Sequence, residues 1–259
     1  MKALFIRCYG KLTPDMFVGG LIDMGVPPVF LKAKLEEAGA AADFIEKANR
    51  KAQFSAHYFH IPGRDHGELL LKQDDLLRRW NALCDKSGAS WKTLGWKVIS
   101  VLCEGASHAV DEIDGNIIDL RRGGVREEDV LSLYCFLAAV EYLEVEKIFT
   151  CPFELGKGQG EAPRMTECIL TRAGSTAGLP IPAEDITPFA AAMMEALSED
   201  FTPMDGRFLT DRTAYGSASA ESPDGGNTAA FYLGYFTESK DSIFQKQMKV
   251  FGHGADILF

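Results

Sequence analysis

Glu104 and His108 stand four residues apart within Trp91–Ala109, a segment with helical patterning. On a helix that spacing puts a carboxylate and an imidazole on one face, about 5–6 Å apart at Cβ. The pair suits bidentate metal capture, or a carboxylate orienting an imidazole. An ordinary helix-surface pair shares the spacing. His57, His60 and His66 form a looser group. Neutral imidazoles bind borderline metals such as nickel or zinc, but the pleat of a strand sends His57 and His60 to opposite faces. Solvated surface histidines are the plainer reading. Gly156-Lys157-Gly158-Gln159-Gly160 follows a predicted strand. Its backbone N–H groups and lysine suit a phosphate. Its spacing is neither a P-loop nor a dinucleotide fingerprint, and no helical pattern follows it directly. A simple turn has the same composition. Arg121-Arg122-Gly123-Gly124 offers a second cationic loop. No Ser-His-Asp or Cys-His arrangement is readable from spacing.

These residues need elements to position them. Ala3 to Cys8 is an apolar run that predicts a buried strand. A polar loop with Gly10 and Lys11 follows, and Thr13-Pro14-Asp15 opens a helix. Thr13 suits the N-cap, Pro14 the first helical position, and Asp15 the positive end of the dipole. Loops feeding helix N-termini are where α/β proteins hold anions and metals. Arg7, Cys8, Lys11 and Asp15 therefore join the candidates.

Further helices are predicted from Pro28 to Gly39, Leu69 to Leu83, Trp91 to Ala109, Glu127 to Leu143 and Thr187 to Leu197. Glu127–Leu143 carries the clearest apolar repeat, with acidic residues in its first turn. Strands are predicted at Gln53–Ile61, Lys147–Phe153, Ala229–Phe236 and Lys246–Val250. Ser222–Asn227 is rich in turn formers. The polar stretch Asp111–Gly124 reads as a seam between halves 1–115 and 116–259, or as a passage within one continuous domain. The alternation predicts an α/β or mixed α+β fold, with a sheet covered by helices.

A net charge of −10 disfavours nucleic acid and anionic membranes as partners. None of the six cysteines forms a Cys-x-x-Cys pair, so buried free thiols in a reducing cytoplasm are expected. The apolar opening is too short for a signal peptide, and no run approaches the roughly 20 residues of a membrane span.

The loop from Leu4 to Met16 resembles the opening of the LarC-type nickel-insertion proteins, the pyridinium bisthiocarboxylate mononucleotide nickel chelatases. Glu104-Gly105-Ala106-Ser107-His108 is similar to that family's helix ending in a Glu–His pair. Glu141–Phe149 followed by Pro152–Gly158 resembles its strand and Pro-Leu-Pro-Leu-Gly-Ser-Gly segment. Ile186-Thr187-Pro188-Phe189-Ala190-Ala191 resembles Val-Thr-Pro-Thr-Gly-Ala, and Ala214-Tyr215-Gly216-Ser217-Ala218 resembles Gly-Tyr-Gly-Ala-Gly. Order and spacing agree along nearly the whole chain.

The departures fall on polar positions. The family's opening Asp is Arg7, and its Ser-Gly steps are Gly10-Lys11 and Thr13-Pro14, while Cys8, Asp15 and Met16 match. Its His-Phe-His-Glu block reads Ile118-Asp119-Leu120-Arg121, and its His-Gly-Ile-Leu-Pro reads Glu167-Cys168-Ile169-Leu170-Thr171. A guanidinium cannot ligate a metal and repels it. Two readings follow. The resemblance implies assembly of a nickel pincer nucleotide cofactor. Asp15, Glu104, His108 and His60 would hold nickel, while Gly156, Lys157, Gly158, Arg7 and Lys11 would face a nucleotide-like small-molecule ligand. It also leaves room for a separately encoded C-terminal-domain partner and for a homo-oligomer. The residues alone favour a non-catalytic ligand-binding or regulatory paralogue, in which Arg7, Lys11 and Arg121 turn a cation site into an anion site. Both expect Asp15 and the Glu104–His108 face to line one cleft.

Overall fold

The computed structural model describes residues 1–40, 43–51, 54–63, 71–109, 119–170, 180–204, 207–219 and 227–237. His66, most of the 111–124 and 222–227 stretches, and the strand expected at 246–250 lie outside them. In chain order the first elements are β1 (Lys2–Cys8), α1 (Pro14–Asp23), α2 (Pro28–Glu37), β2 (Ile45–Lys51) and β3 (Phe54–His60). Then come α3 (Gln73–Ser87), α4 (Lys92–Ala109), α5 (Asp129–Tyr142), β4 (Lys147–Thr150) and β5 (Glu154–Leu155). The chain continues through α6 (Glu161–Ile169), β6 (Pro180–Ile181), α7 (Pro188–Leu197), β7 (Ser198–Phe201), β8 (Phe208–Ser217) and β9 (Thr228–Phe236).

Seven strands form one mixed sheet in the order β2-β3-β8-β9-β1-β4-β7. β1 runs parallel to β4 and antiparallel to β9, and β3 runs parallel to β8. This is an α/β fold, and strands from before and after the 111–124 stretch share its sheet. β1 sits near the middle and is buried on both faces, which is why it reads as an unbroken apolar run. Leu4, Ile6 and Cys8 join the large core beneath the helices. Ala3 and Phe5 face the other way, into a smaller cluster with Phe149, Phe208 and Phe236. The Phe5 ring lies 4.6 Å from Phe208 and 4.9 Å from Phe149, within the range of favourable aromatic pairs.

α1 lies directly on the sheet, and two glycines allow it. A Cβ on Gly216 of β8 would sit 2.0 Å from the Met16 carbonyl oxygen, and one on Gly20 would strike the Phe231 ring at 2.2 Å. Gly216→Ala must therefore lift the start of α1 away from β8. The expected cost is about 3 kcal/mol, the upper end for overpacking, because the obstacle is backbone. Urea unfolding checks this, and an unchanged midpoint would contradict the close approach.

Several details differ from the sequence reading. Thr13 is extended, but its side chain makes no capping bond, whereas Thr187 accepts from the Ala190 N–H. A helix, α6, does follow the glycine-rich loop. Its buried positions Pro163, Met165, Thr166 and Ile169 do follow the helical repeat, but Pro163 in the first turn and polar Thr166 on the buried side mask it. β2 is polar and, among the described residues, pairs only with β3, as an edge strand does, so alternation gives it no signal. Among the described residues no helix is long and apolar enough to cross a membrane. The six cysteines are free, and five of them are buried.

Candidate functional site

The loop after β1 is stitched to the start of α7. Leu12 N–H donates to the Asp185 carbonyl at 2.8 Å, and Thr187 N–H donates to the Leu12 carbonyl at 3.1 Å. Two Thr-Pro helix starts therefore stand side by side. The first residue of α5 completes the group, and a pocket of about 220 Å³ opens among them. The strands that end here, β1, β3 and β8, all point their carboxyl ends at it. α/β sheets usually bind ligands at that edge.

Asp15 is the hub. It is 6% exposed. Ser132 Oγ donates to Oδ1 at 2.5 Å. His60 Nδ1 lies 2.8 Å from Oδ2, and Arg126 Nη2 donates to the same oxygen at 3.3 Å. Arg126 also grips Asp129, through Nη2 at 2.8 Å and Nε at 3.1 Å to Oδ1, and through its backbone N–H at 2.9 Å to Oδ2. One guanidinium thus bridges two buried carboxylates. Burial pushes the Asp129 carboxyl up to about 6, against the opposing pull of Arg126. Burial lowers the Arg126 pKa, and Asp129 and Asp15 more than offset that, so it stays above its ordinary value. Tyr58, on the pocket wall, is raised by burial and by the charge of Asp15. Contact with Asp15 fixes which His60 nitrogen meets the carboxylate, as an outer carboxylate does for metal-bound imidazoles.

The arrangement allows two kinds of chemistry. Asp15, Asp129 and His60 are hard-oxygen and imidazole donors for a divalent ion, provided Arg126 withdraws from between them. Arg126, the exposed Lys11 at the rim and the clustered helix N-termini favour an anion. Among the described residues, no group of three or more His, Cys, Asp or Glu is placed to share a metal as it stands.

Of the residues expected from sequence, Asp15, His60 and Lys11 meet in this pocket. The others do not. Glu104 and His108 are exposed on α4 and line no part of it, because α4 turns Leu102, Gly105 and Ala106 inward instead. Cys8 is buried and lines no part of the pocket, its thiol donates to the Gly10 carbonyl at 3.0 Å, and burial pushes its pKa up to about 12. Arg7 alternates with Ile6 and Cys8 and so emerges on the opposite face of the sheet from α1. Gly156 N–H is taken by the Ile181 carbonyl at 2.8 Å, and Gly158 N–H by Glu167 at 2.9 Å. The two amides most suited to a phosphate are therefore already occupied, and Lys157 is exposed beside them. His57 pairs with Glu46 across the β2–β3 edge.

Arg126, Asp129 and Ser132 were not singled out by sequence. Arg126 lies in the turn just before α5, and Asp129 and Ser132 are three apart on the first turn of that helix, which brings them to one side. That signal was hidden because Glu127, Glu128 and Asp129 also read as an ordinary acidic first turn.

A family model described as nickel insertion protein matches residues 4–252. A pyridinium-3,5-bisthiocarboxylic acid mononucleotide nickel insertion protein from Thermotoga sp. (strain RQ2) is 25% identical over all of this chain and 70% of its own length. One of the same description from Clostridium kluyveri is 26% identical over 78% of this chain and 55% of its own length. A relative from Geotalea daltonii is 24% identical over 92% of this chain, which spans 62% of that protein. No solved structure gives a significant match. A match that begins in β1 and runs through nearly the whole sequence puts this chain in the nickel insertion protein family.

Proposed function

We propose that this chain works in the assembly of a nickel-containing nucleotide cofactor, and that the Asp15 pocket is where the nickel cargo is received. One observation carries the reading. A buried carboxylate at a helix start is shared among His60, Ser132 and Arg126, at the sheet edge where this fold class binds ligands. Arg126 acts as an internal cation in the metal's place. It pairs with both Asp15 and Asp129 until a divalent ion displaces it. His60 contributes an imidazole that a carboxylate already orients. The cargo is a substrate here, so a sparse, exchangeable donor set suits delivery better than a closed four-ligand site, which would retain the ion.

Calorimetric titration of nickel into the protein tests this. The expected dissociation constant is tighter than about 1 mM, equivalent to about −4 kcal/mol. Asp15→Asn should weaken it at least tenfold, because it removes the charge and halves the oxygen donors. Nickel binding that is absent, or indifferent to Asp15, overturns the proposal.

A second reading has its own support. Arg126 satisfies both carboxylates without any metal, and Lys11 and the helix starts add positive potential. In that case the pocket belongs to a ligand-binding or regulatory paralogue that takes an anionic nucleotide-like molecule. The same titration separates the two, since this reading predicts no heat with nickel.

A further inference from the structure

The opposite face of the sheet carries a group that the Asp15 pocket does not use. Arg7 of β1 and Tyr215 of β8 sit in register across β9, each opposite Ala230. Tyr232 of β9 is one row away, opposite Phe5, and Tyr9 follows β1. Ala230 is fully buried among them, so the phenol rings rest on a closed apolar floor. The Arg7 guanidinium lies 5.2 Å above the centre of the Tyr9 ring. The Tyr9 and Tyr232 hydroxyls are 3.2 Å apart. Arg7 is exposed, and among the described residues no carboxylate pairs with it.

The chemistry of this group is specific. A hydrogen-bonded phenol pair owns two protons and uses one internally, so the second remains to donate outward. Burial and the Tyr9 contact both hold Tyr232 protonated, well above the ordinary phenol range. Beside these sits a guanidinium fork that pairs with no carboxylate among the described residues. A planar fork with an adjacent hydroxyl donor matches the oxygens of a phosphate monoester. The aromatic faces around it suit a cationic ring.

From this geometry we infer that Arg7, Tyr9 and Tyr232, with Tyr215 beside them, form a phosphate-monoester site that anchors a pyridinium mononucleotide. The inference rests on the reading of the chain as a nickel-cofactor assembly protein for the ligand's identity, but not for the site's chemistry. β1, which carries Arg7, is three strand spacings from β3, which carries His60, or about 14 Å. Both residues lie toward the same carboxyl edge. The phosphate site and the Asp15 pocket therefore open toward one edge from opposite faces of the sheet.

The test is a calorimetric titration with nicotinic acid mononucleotide, its nucleoside without the phosphate, and inorganic phosphate. The mononucleotide should bind at least tenfold more tightly than the nucleoside. Arg7→Gln should weaken it tenfold or more. The double variant Tyr9→Phe with Tyr232→Phe keeps the rings, removes the hydroxyls and should weaken it about three- to tenfold. Arg7→Lys should fall between wild type and Arg7→Gln if the fork geometry matters. Thermal midpoints confirm that each variant is folded. Equal binding of nucleoside and mononucleotide, wild-type affinity in Arg7→Gln, or no binding of the mononucleotide at 1 mM each overturns the site. Failure of the nickel reading looks different: the wild-type chain takes up no nickel while the Arg7-dependent phosphate preference persists.

Discussion

Arg126→Met will destabilise the chain by about 3 kcal/mol at neutral pH and will tighten its hold on nickel at least tenfold. The first effect follows from what the guanidinium leaves behind. Asp15 and Asp129 are 6% and 3% exposed, and both accept from Arg126. Removing one partner of a buried ion pair typically costs 3–5 kcal/mol, because the remaining charge stays desolvated. The Arg126 side chain is itself about one-third exposed, which puts the effect at the lower end of that range. Methionine fills similar volume, so lost packing contributes little. The second effect has the same origin. Two unpaired buried carboxylates beside His60 are a better cation site than two neutralised ones. Nickel at 100 times its dissociation constant adds about 2.7 kcal/mol of stability, nearly enough to restore the variant. Urea unfolding with and without nickel measures both. If nickel stabilises the variant no more than wild type, Arg126 is a structural clamp and not a stand-in for the ion.

This result would also separate the two readings of the pocket. If the pocket takes an anion, Arg126 is part of the binding machinery, and its loss weakens a mononucleotide without admitting nickel. If the pocket takes nickel, Arg126 competes with the ion.

The legible part of this site was the part whose chemistry is local. The strand, loop and helix around Asp15 could be read because an apolar run, a glycine, a Thr-Pro start and an acidic residue follow one another within a few positions. The fold class could be read for the same reason. The illegible part was assembled by long-range contacts. Ser132 reaches Asp15 across 117 positions and Arg126 across 111. Nothing in the local pattern of α5 announces that its polar face meets another helix start. Glu104 and His108 show the converse. Their spacing is right for a pair, but their direction is set by which face of α4 packs on α6 and α7. Gly105 decides that: a Cβ there would lie 2.2 Å from the Ile169 side chain, so this side of the helix is committed to α6. The glycine-rich loop had suitable backbone donors, but Glu167, from the helix after it, takes one of them. Arg7 was read as part of the Asp15 cleft because it is close in sequence. The two-residue period of the strand sends it to the other face.

Acidification from pH 7 to pH 5 will weaken nickel binding, and Asp129→Asn will remove the part of that dependence that comes from this carboxyl, about tenfold per unit below pH 6. Asp129 is held at about 6 because burial penalises its charge more than Arg126 relieves it. A ligand carboxyl must be ionised, so below that value each pH unit lowers its available fraction about tenfold. Stability moves the other way. The folded-state pKa of about 6 lies above the ordinary 3.8, so between these values the folded chain binds the proton that the unfolded chain releases. The contribution of this group to folding therefore rises as pH falls through 6 and levels off below 3.8. Two units correspond to about 3 kcal/mol at most. Other carboxylates that are stabilised when ionised oppose this trend, so the informative quantity is the difference between wild type and Asp129→Asn. That difference should shift in favour of wild type as pH falls from 7 to 4 in parallel urea titrations. A constant difference would mean that Asp129 keeps an ordinary carboxylate pKa beside Arg126. The acid sensitivity of cation binding would then not come from Asp129.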